Sequence, residues 1–303
     1  MIRMIFLLAL SISLALALTA QPAAQYTASG LRLQLPDGWL LGEVAAVEKN
    51  AEGHIFVLNR GDHKLLEFDG NGTFIKEIGA GQNTFEVPHG LKIDADGNIW
   101  TTDVGSHIVI QFSPAGEVLK VLGRKGQQGE YMKKWNYVIF DQPTDVDFGP
   151  DGSIYVADGY GNNRVVKFNK AGEHIRTWGT KGIKPGEFDL PHCVTVHDGK
   201  VYVGDRENKR IQIFDLDGHY LDQWDNTGYP YSIKIHDGYL YSLDGVATKV
   251  FLFDLNGRKV GEFAPPRGFA RGELSLPHWI AVDAEGIWIA EVLSWRAQHF
   301  HKE

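Results

Sequence analysis

The sequence has a single cysteine, Cys193, among 303 residues. A chain with one cysteine forms no internal disulfide bond, so its stability must come from burial and hydrogen bonding. Cys193 directly follows His192, but neighbouring residues of a strand point to opposite faces and rarely serve the same metal ion. We therefore interpret Cys193 as a small buried core residue rather than as a metal ligand.

The sequence also lacks an excess of positive charge. It carries 30 Lys and Arg residues against 38 Asp and Glu residues, for a formal net charge of −8. Nucleic-acid binding usually needs a basic face, and this composition offers no electrostatic support for it. The same charge argues against docking on an anionic membrane surface. We expect no nucleic-acid partner.

A long apolar run stands at the start of the chain, where Ile5 to Leu18 follow Arg3. Leu18-Thr19-Ala20 is a plausible cleavage site, so residues 1–20 are predicted to be a signal peptide. The alternative is a transmembrane anchor, but the run is short for a bilayer span. We expect a secreted or periplasmic protein with no membrane insertion after cleavage. No cysteine stands directly after the run, which argues against a lipid anchor.

After residue 20 the sequence lacks a sustained helical period, which disfavours a parallel α/β fold. It is instead rich in glycine, with 35 residues, and repeats itself in blocks of about 40 residues. Alternating apolar residues flank a recurrent acidic-Gly turn, which is a strong hairpin signal. Each hairpin is followed by an acidic or Asn residue and by a third strand that ends in Phe. The six turns are Glu52-Gly53, Asp96-Gly97, Asp151-Gly152, Asp198-Gly199, Asp237-Gly238 and Glu285-Gly286.

Six copies of a four-stranded antiparallel unit predict an all-β fold, a six-bladed β-propeller over residues 26–303. The sixth copy stops at its third strand, near Phe300. The alternating segment Gly30–Leu35 is expected to supply the missing fourth strand and to close the ring. Closure would remove the exposed sheet edges.

A Pro-His pair enters the first strand of every second blade. Blades 2, 4 and 6 have Pro88-His89, Pro191-His192 and Pro277-His278, whereas blades 3 and 5 have Pro143-Thr144 and Pro230-Tyr231 at the same point. Blade 1 has no His near Gly42 to Val44. Since first strands line the channel of a propeller, His89, His192 and His278 should converge from directions about 120° apart. Three imidazoles predict a metal site, with Zn²⁺ the first choice and copper, iron and nickel left open.

The loop from the second to the third strand lies on the same face as the Pro-His pairs. The acidic residue that begins this loop recurs in almost every blade, so we interpret it as structural. The residues beside it that do not repeat are better candidates for catalysis: Arg60, Tyr160 and Arg206. Arg can clamp a substrate carboxylate, and Tyr beside a metal ion can act as a general base. His63 and His107 share this face as weaker candidates.

At these positions the chain resembles a known family. The repeat resembles NHL repeats over about residues 40–300, and a narrower set of motifs resembles peptidyl-α-hydroxyglycine α-amidating lyases. These motifs are Arg60-Gly61-Asp62-His63, Val87-Pro88-His89-Gly90-Leu91, Thr102-Asp103-Val104, Asp158-Gly159-Tyr160, Asn163-Arg164, Leu190-Pro191-His192, Asp205-Arg206-Glu207-Asn208 and Leu276-Pro277-His278.

The resemblance implies Zn²⁺ held by His89, His192 and His278, Tyr160 as base, Arg60 holding the substrate and Arg206 in the active site. The implied reaction cleaves a C-terminal α-hydroxyglycine, or a hydroxylated N-acylglycine, to an amide and glyoxylate. The substrate would be a small molecule or a peptide, and we expect a monomer. The family has an acid after the third Pro-His pair that helps to hold calcium. Here that residue is Trp279, so structural Ca²⁺ is not expected.

Two other classes of protein remain open. The chain could be a non-catalytic NHL propeller that binds a protein or glycan ligand and uses the metal structurally. It could also be another metal-dependent lyase or hydrolase, such as a lactonase-like propeller. Lactonase-like sites usually place carboxylates and Asn on calcium rather than three His, which disfavours this last class.

Overall fold

The protein is described by a computed structural model that covers residues 25–82, 84–129, 131–132 and 137–303. The predicted signal peptide, residues 1–20, lies outside the described residues. The described part of the chain contains strands, turns and loops but no helix, and hence none that could span a lipid bilayer.

Six four-stranded antiparallel sheets make up most of the described part of the chain, which confirms the predicted β-propeller. Strands are numbered along the chain, so that the last strand of blade 6 is β1. Blade 1 contains β2 (Val44–Lys49), β3 (Ile55–Asn59), β4 (Leu65–Phe68) and β5 (Phe74–Glu77). Blade 2 contains β6 (Pro88–Ile93), β7 (Ile99–Asp103), β8 (Ile108–Phe112) and β9 (Val118–Gly123). A small separate sheet follows, made of β10 (Tyr131–Met132) and β11 (Tyr137–Val138).

The second half of the ring has the same order. Blade 3 contains β12 (Asp145–Phe148), β13 (Ile154–Asp158), β14 (Arg164–Phe168) and β15 (His174–Trp178). Blade 4 contains β16 (Pro191–His197), β17 (Lys200–Asp205), β18 (Arg210–Asp215) and β19 (Tyr220–Asp225). Blade 5 contains β20 (Pro230–His236), β21 (Tyr239–Asp244), β22 (Lys249–Asp254) and β23 (Lys259–Phe263). Blade 6 contains β24 (Pro277–Val282), β25 (Gly286–Glu291), β26 (Arg296–Lys302) and β1 (Tyr26–Ala28).

The ring is closed by a shorter and earlier segment than the sequence predicted. Strand β1, not Gly30–Leu35, pairs with β26, with Tyr26 opposite Lys302 and Ala28 opposite Phe300. The prediction was wrong on the segment because the alternating leucines Leu31, Leu33 and Leu35 pack instead against a core cluster that blades 1, 2 and 6 share. Of this stretch, Gln34 alone makes a bridge, to Thr73 of blade 1.

Tyr26 anchors the closing strand, so Tyr26→Ala should destabilise the fold. Its ring lies 5.3 Å from the Phe263 ring, and its hydroxyl lies 3.3 Å from that of Tyr241. We expect the free energy of unfolding to fall by about 1–3 kcal/mol, less than for a fully buried aromatic residue. Denaturant unfolding measures this change. Leu119→Ala, at an exposed position of β9, is the control, and an equally small effect in both variants would contradict the assignment of β1 as the closing strand.

Each blade presents one residue to the channel at the beginning of its inner strand, and we call these six the slot residues. They are Ala45, His89, Thr144, His192, Tyr231 and His278. In five blades the slot residue coincides with a β-bulge, a feature that can re-aim a side chain. Thr144 directly precedes β12. The expected slot of blade 1, near Gly42 to Val44, shifts to Ala45, because Val44 takes the ladder position that Pro holds in the other bulged strands.

Candidate metal centre

The three Pro-His histidines meet at the channel axis. Their potential ligand nitrogens all lie within 4.8 Å of one another. The ring centroids are 4.7 Å apart for His89 and His192, 4.6 Å for His89 and His278, and 5.2 Å for His192 and His278. All three side chains are buried. The alternation seen in the sequence thus corresponds to one cluster that could hold a metal ion.

The slot residues of the odd blades orient these histidines. Nδ1 of His89 lies 2.8 Å from the Thr144 carbonyl oxygen, Nδ1 of His192 lies 2.6 Å from that of Tyr231, and Nδ1 of His278 lies 2.7 Å from that of Ala45. A carbonyl oxygen only accepts, so Nδ1 carries the hydrogen in each ring and the lone pair is on Nε2. This is the outer arrangement typical of metal-binding histidines.

The electrostatic environment keeps the three rings neutral. Burial lowers the pKa of His89 and of His192 well below the usual value, and neighbouring histidines and Arg206 add to the effect. Burial also lowers the pKa of His278, to about 3. Metal ligation requires the neutral imidazole. The tautomers, the burial and the convergence of three nitrogens therefore fit a divalent transition-metal ion.

Tyr160 reaches this cluster from the loop after β13. Its hydroxyl oxygen lies 3.3 Å from Nε2 of His89 and 3.2 Å from Nε2 of His192. It therefore lies on the side of the histidines that carries their free lone pairs. The side chain is 36% exposed, which leaves it open to a ligand from solvent.

The two predicted arginines flank the cluster. Arg60 donates from Nε to the Pro88 carbonyl oxygen at 3.1 Å and from Nη1 to Glu43 at 2.8 Å. Arg206 donates from Nε to Glu207 at 2.8 Å, and its Nη1 lies 3.5 Å from the Tyr160 hydroxyl. Both positive charges contribute to the lowered pKa of His89. The structure thus gathers all six predicted site residues at one end of the channel.

The side chains of His63 and His107 make their contacts away from the three-histidine cluster. Nδ1 of His63 lies 2.8 Å from a Glu77 carboxylate oxygen, and its ring stacks on Trp39 at a centroid distance of 3.3 Å. The backbone N–H of Gln142 donates to Nδ1 of His107 at 3.1 Å. Each ring is held by residues outside the three-histidine cluster, so these two weaker candidates are not brought to the site.

The repeated acid supports the loops next to the site, as its recurrence suggested. Asp205 is buried and accepts from the backbone N–H of Asp189 at 2.7 Å, from Nε of Arg210 at 2.7 Å and from Asn208 at 2.9 Å. A buried carboxylate needs such partners to offset its lost hydration. None of its hydrogen bonds goes to His89, His192 or His278. Its role is therefore structural.

Asp205→Ala should therefore act on stability. Removal of one partner of a buried charged pair leaves the other uncompensated, and this costs about 3–5 kcal/mol. Chemical denaturation should show this loss, whereas Asp222→Ala, at an exposed position of β19, should change stability by less than about 0.5 kcal/mol. A folded Asp205→Ala protein of unchanged stability would contradict the structural role.

The residues around Trp279 do not suit a structural calcium ion, which was not expected at this position. Trp279, at the position of the family acid, is fully buried. The Lys92 ammonium lies 5.6 Å from its ring centroid and 3.8 Å from an Asp145 oxygen, and Lys234 binds Glu48 at 2.8 Å. Calcium takes six to eight oxygen ligands. Here Asp145 and Glu48 are each paired with a lysine, Lys92 and Lys234, instead of being free to bind a cation. These residues do not form a calcium site.

Cys193 lies in this region as a buried residue. Its thiol donates to the Pro230 carbonyl oxygen at 3.5 Å, and burial raises its pKa. A buried thiol with a raised pKa stays protonated and is a poor metal ligand. The geometry agrees with the interpretation of Cys193 as a core residue.

The fold and the site together define a class of protein, a six-bladed propeller with a three-histidine cluster at one end of its channel. Sequence comparison relates the chain to proteins with NHL repeats. The sequence model of the NHL repeat matches residues 140–168 and 188–214. The chain contains NHL repeats, and the predicted resemblance is confirmed by named relatives.

Two of these relatives have amidation in their names. The chain is 31% identical over 219 residues to peptidyl-glycine alpha-amidating monooxygenase of Mus musculus, which covers 61% of this chain and 22% of that protein. It is 30% identical over 216 residues to a probable peptidyl-alpha-hydroxyglycine alpha-amidating lyase of Caenorhabditis elegans. This match covers 63% of this chain and 60% of that protein. A third relative, NHL repeat-containing protein 3 of Mus musculus, is 32% identical over 187 residues, which cover 57% and 52%. The chain thus matches between about a fifth and three fifths of these relatives.

Solved structures of low identity share the fold. A gluconolactonase of Xanthomonas campestris has a TM-score of 0.65 at 14% identity and is matched over 99% of its chain and 93% of this one. A virginiamycin B lyase of Staphylococcus aureus has a TM-score of 0.63 at 13% identity and is matched over 100% of its chain and 92% of this one. At such identities the likeness supports the propeller architecture only.

Proposed function

We propose that this protein is a metal-dependent lyase that converts a C-terminal α-hydroxyglycine, or an α-hydroxylated N-acylglycine, into an amide and glyoxylate. The observation that carries the proposal is the Tyr160 hydroxyl within 3.3 Å of the free Nε2 atoms of two histidines in a three-histidine cluster. Two relatives named for amidation support the same reaction. The relationship to named lyases likewise supports an enzyme of the lyase class.

His89, His192 and His278 would hold the metal ion through Nε2. Zn²⁺ is the first choice, since three neutral imidazoles with further positions left open are a common catalytic zinc environment. When bound, a divalent ion would supply a Lewis acid that polarises the substrate hydroxyl and makes its proton easier to remove.

The side chains of this protein would do the rest. A guanidinium, from Arg60 or Arg206, would bind the substrate carboxylate and fix its orientation. Tyr160 would accept the hydroxyl proton as general base. The C–N bond then breaks, the aldehyde C=O of glyoxylate forms, and the departing amide nitrogen takes up a proton. One substrate gives two products with no oxidant or reductant.

The proposal also covers where the protein acts and what its substrate is. Residues 1–20 would direct export, so the protein would act outside the cytoplasm as a secreted or periplasmic monomer. Its substrate would be a small molecule or a peptide already hydroxylated at the α-carbon of a terminal glycine. The class of reaction that supplies such a substrate is an oxidative hydroxylation of glycine.

A direct assay tests the proposed reaction. Zinc-loaded protein is mixed with α-hydroxyhippurate, which is N-benzoylglycine with a hydroxyl on the α-carbon, and glyoxylate and benzamide are measured. We expect equal amounts of the two products. Absence of both products with the metal-loaded protein, on this compound and on a peptide ending in α-hydroxyglycine, would overturn the proposal.

A non-catalytic propeller is the second candidate, favoured by the relative named only for its NHL repeats. In that class the metal would support the fold, and the ligand would be a protein or a glycan. The two candidates differ on turnover, because the non-catalytic protein would release no glyoxylate from any hydroxylated glycine while still binding the metal.

A further inference from the structure

The predicted catalytic residues occupy a single position of the repeat, and this becomes visible through backbone hydrogen bonds. In four blades the residue after the repeated acid donates its backbone N–H to the carbonyl oxygen of the residue two positions before the slot residue. Arg60 bonds to Glu43 in this way, and Arg206 bonds to Leu190. Val104 and Val292 make the same bond, to Val87 and Leu276. We call this the collar position.

Blade 3 follows the rule with one extra residue. The next residue along the loop also has a fixed bond, from Glu207 N–H to the Asp189 carbonyl oxygen in blade 4 and from Gly161 N–H to that of Asp141 in blade 3. Gly161 therefore corresponds to Glu207, and Tyr160 corresponds to Arg206. Gly159 is the inserted residue. Arg60, Tyr160 and Arg206 are three members of one collar around the histidines.

Blade 5 differs, because the residue that directly follows its acid, Asp244, is Gly245, which has no side chain. A Cβ atom at Gly245 would lie 2.7 Å from Cγ of Tyr231 and 2.7 Å from the Pro277 carbonyl oxygen. Such separations are shorter than van der Waals contact. The ring of Tyr231 therefore takes the space that a collar side chain would need, and the glycine is required for it to do so.

Tyr231 touches the site at two points. Its ring centroid lies 4.8 Å from the Arg206 guanidinium carbon, whose other neighbour is the Tyr160 ring at 5.5 Å. Its ring also lies 5.1 Å from the His192 ring, and its backbone oxygen accepts the Nδ1 hydrogen of His192. Arg206 thus lies near two aromatic rings while its Nε is held by Glu207.

From this geometry we infer that Tyr231 is a positioning residue, whose ring holds the Arg206 guanidinium in the orientation that binds the substrate carboxylate. The inference rests on the proposed function, since it takes Arg206 as a carboxylate-binding group. A guanidinium stacked on an aromatic ring loses little freedom when it forms its hydrogen bonds. The aromatic face, not the phenol hydroxyl, supplies this effect.

The test measures carboxylate binding separately from turnover. Hippurate, N-benzoylglycine, lacks the α-hydroxyl and cannot be cleaved, so its binding to zinc-loaded protein can be followed by calorimetry. Tyr231→Leu should weaken hippurate binding about tenfold and raise KM for α-hydroxyhippurate by a similar factor, with kcat changed much less. Tyr231→Phe, which keeps the ring, should restore binding. Tyr229→Leu, a tyrosine of the same connection that packs on Lys209, is the matched control.

A double-mutant cycle assigns the effect to Arg206. In an Arg206→Ala background, Tyr231→Leu should cause no further loss of hippurate binding, because the group that it positions is gone. Wild-type affinity in Tyr231→Leu would overturn the inference, as would additive losses in the double variant. Loss of zinc from Tyr231→Leu would also overturn it, since the ring would then support His192 rather than Arg206.

These outcomes are separate from those of the proposed reaction. Wild-type protein that binds hippurate through Arg206 and Tyr231 but releases no glyoxylate would contradict the reaction and leave the positioning role intact. Wild-type protein that releases glyoxylate without any dependence on Tyr231 would do the reverse. Failure of the wild-type protein to bind hippurate would overturn the positioning role, because Arg206 would not be a carboxylate site.

Discussion

Replacement of His192 by alanine is expected to remove the metal ion and all turnover. Three nitrogens converge within 4.8 Å, so loss of His192 leaves only the two ligands on blades 2 and 6 and an open third position. Substitution of a residue that merely orients a ligand already costs 10–100-fold in metal affinity. Loss of the ligand itself should therefore exceed about 100-fold. Metal content of the purified protein and glyoxylate release report the two effects.

Two further variants make this result specific. His192→Gln approximates the size of the side chain and separates lost ligation from a cavity in the buried cluster. His197→Ala changes an exposed histidine at the far end of the same strand, β16, and should leave metal content unchanged. Circular dichroism would show that all three proteins are folded. A folded His192→Ala protein that keeps a full complement of tightly bound metal would contradict the assignment of the ligands.

Removal of the Tyr160 hydroxyl has the second largest expected effect, and it should fall on kcat. Tyr160→Phe keeps the ring beside Arg206 but removes the group that would accept the substrate proton. Proton transfer by a positioned side chain contributes about 10²–10⁴ to a rate. We expect a decrease of kcat in this range, with metal content and KM changed little, because the histidines and the arginines remain.

The matched control for this variant is Tyr220→Phe, at an exposed position of β19 in blade 4. Its kcat should equal that of the wild-type protein. Full turnover by Tyr160→Phe would show that another group takes the proton, and Tyr160 would then be a binding residue. A joint loss of metal and turnover would instead mean that the Tyr160 hydroxyl helps the histidines to bind the metal ion.

The sequence predicted the number of blades and the three histidines because both are periodic features. Turn residues are restricted to a few types, so the acidic-Gly turns mark the repeat. The Pro-His pairs could then be compared at equal phase, and only His89, His192 and His278 alternate. Because the blades are arranged around one axis, residues at the same position of alternate blades meet at that axis. The cluster of the three histidines confirms this expectation.

Features that depend on backbone geometry were not predictable in this way. The Nδ1 acceptors are carbonyl oxygens of Ala45, Thr144 and Tyr231, and a carbonyl group leaves no trace in the residue type. The bulge that makes Ala45 the slot of blade 1 adds a residue without a turn signal. Once the six slot residues are aligned, however, each slot residue of an odd-numbered blade is seen to be next to a histidine slot of an even-numbered blade.

Tertiary packing decided the remaining differences. Gly30–Leu35 alternates as a strand does, but its leucines pack on the core cluster shared by blades 1, 2 and 6 and do not pair at the sheet edge. Tyr231 and Gly245 are far apart in the repeat pattern, and their mutual fit is visible only as a contact. The charges of Lys92 and Asp145 meet across two blades, so their exclusion of calcium from the channel depends on the three-dimensional arrangement.

The measurement that tests the central claim most directly is a metal titration of the metal-free protein with glyoxylate release as the signal. Protein stripped by a chelator is titrated with Zn²⁺ in the presence of α-hydroxyhippurate. The three-histidine centre predicts no release at the start, a linear rise and a plateau at one zinc ion per chain. Release that is as fast without metal as with it would contradict the account, and so would no release at full zinc occupancy.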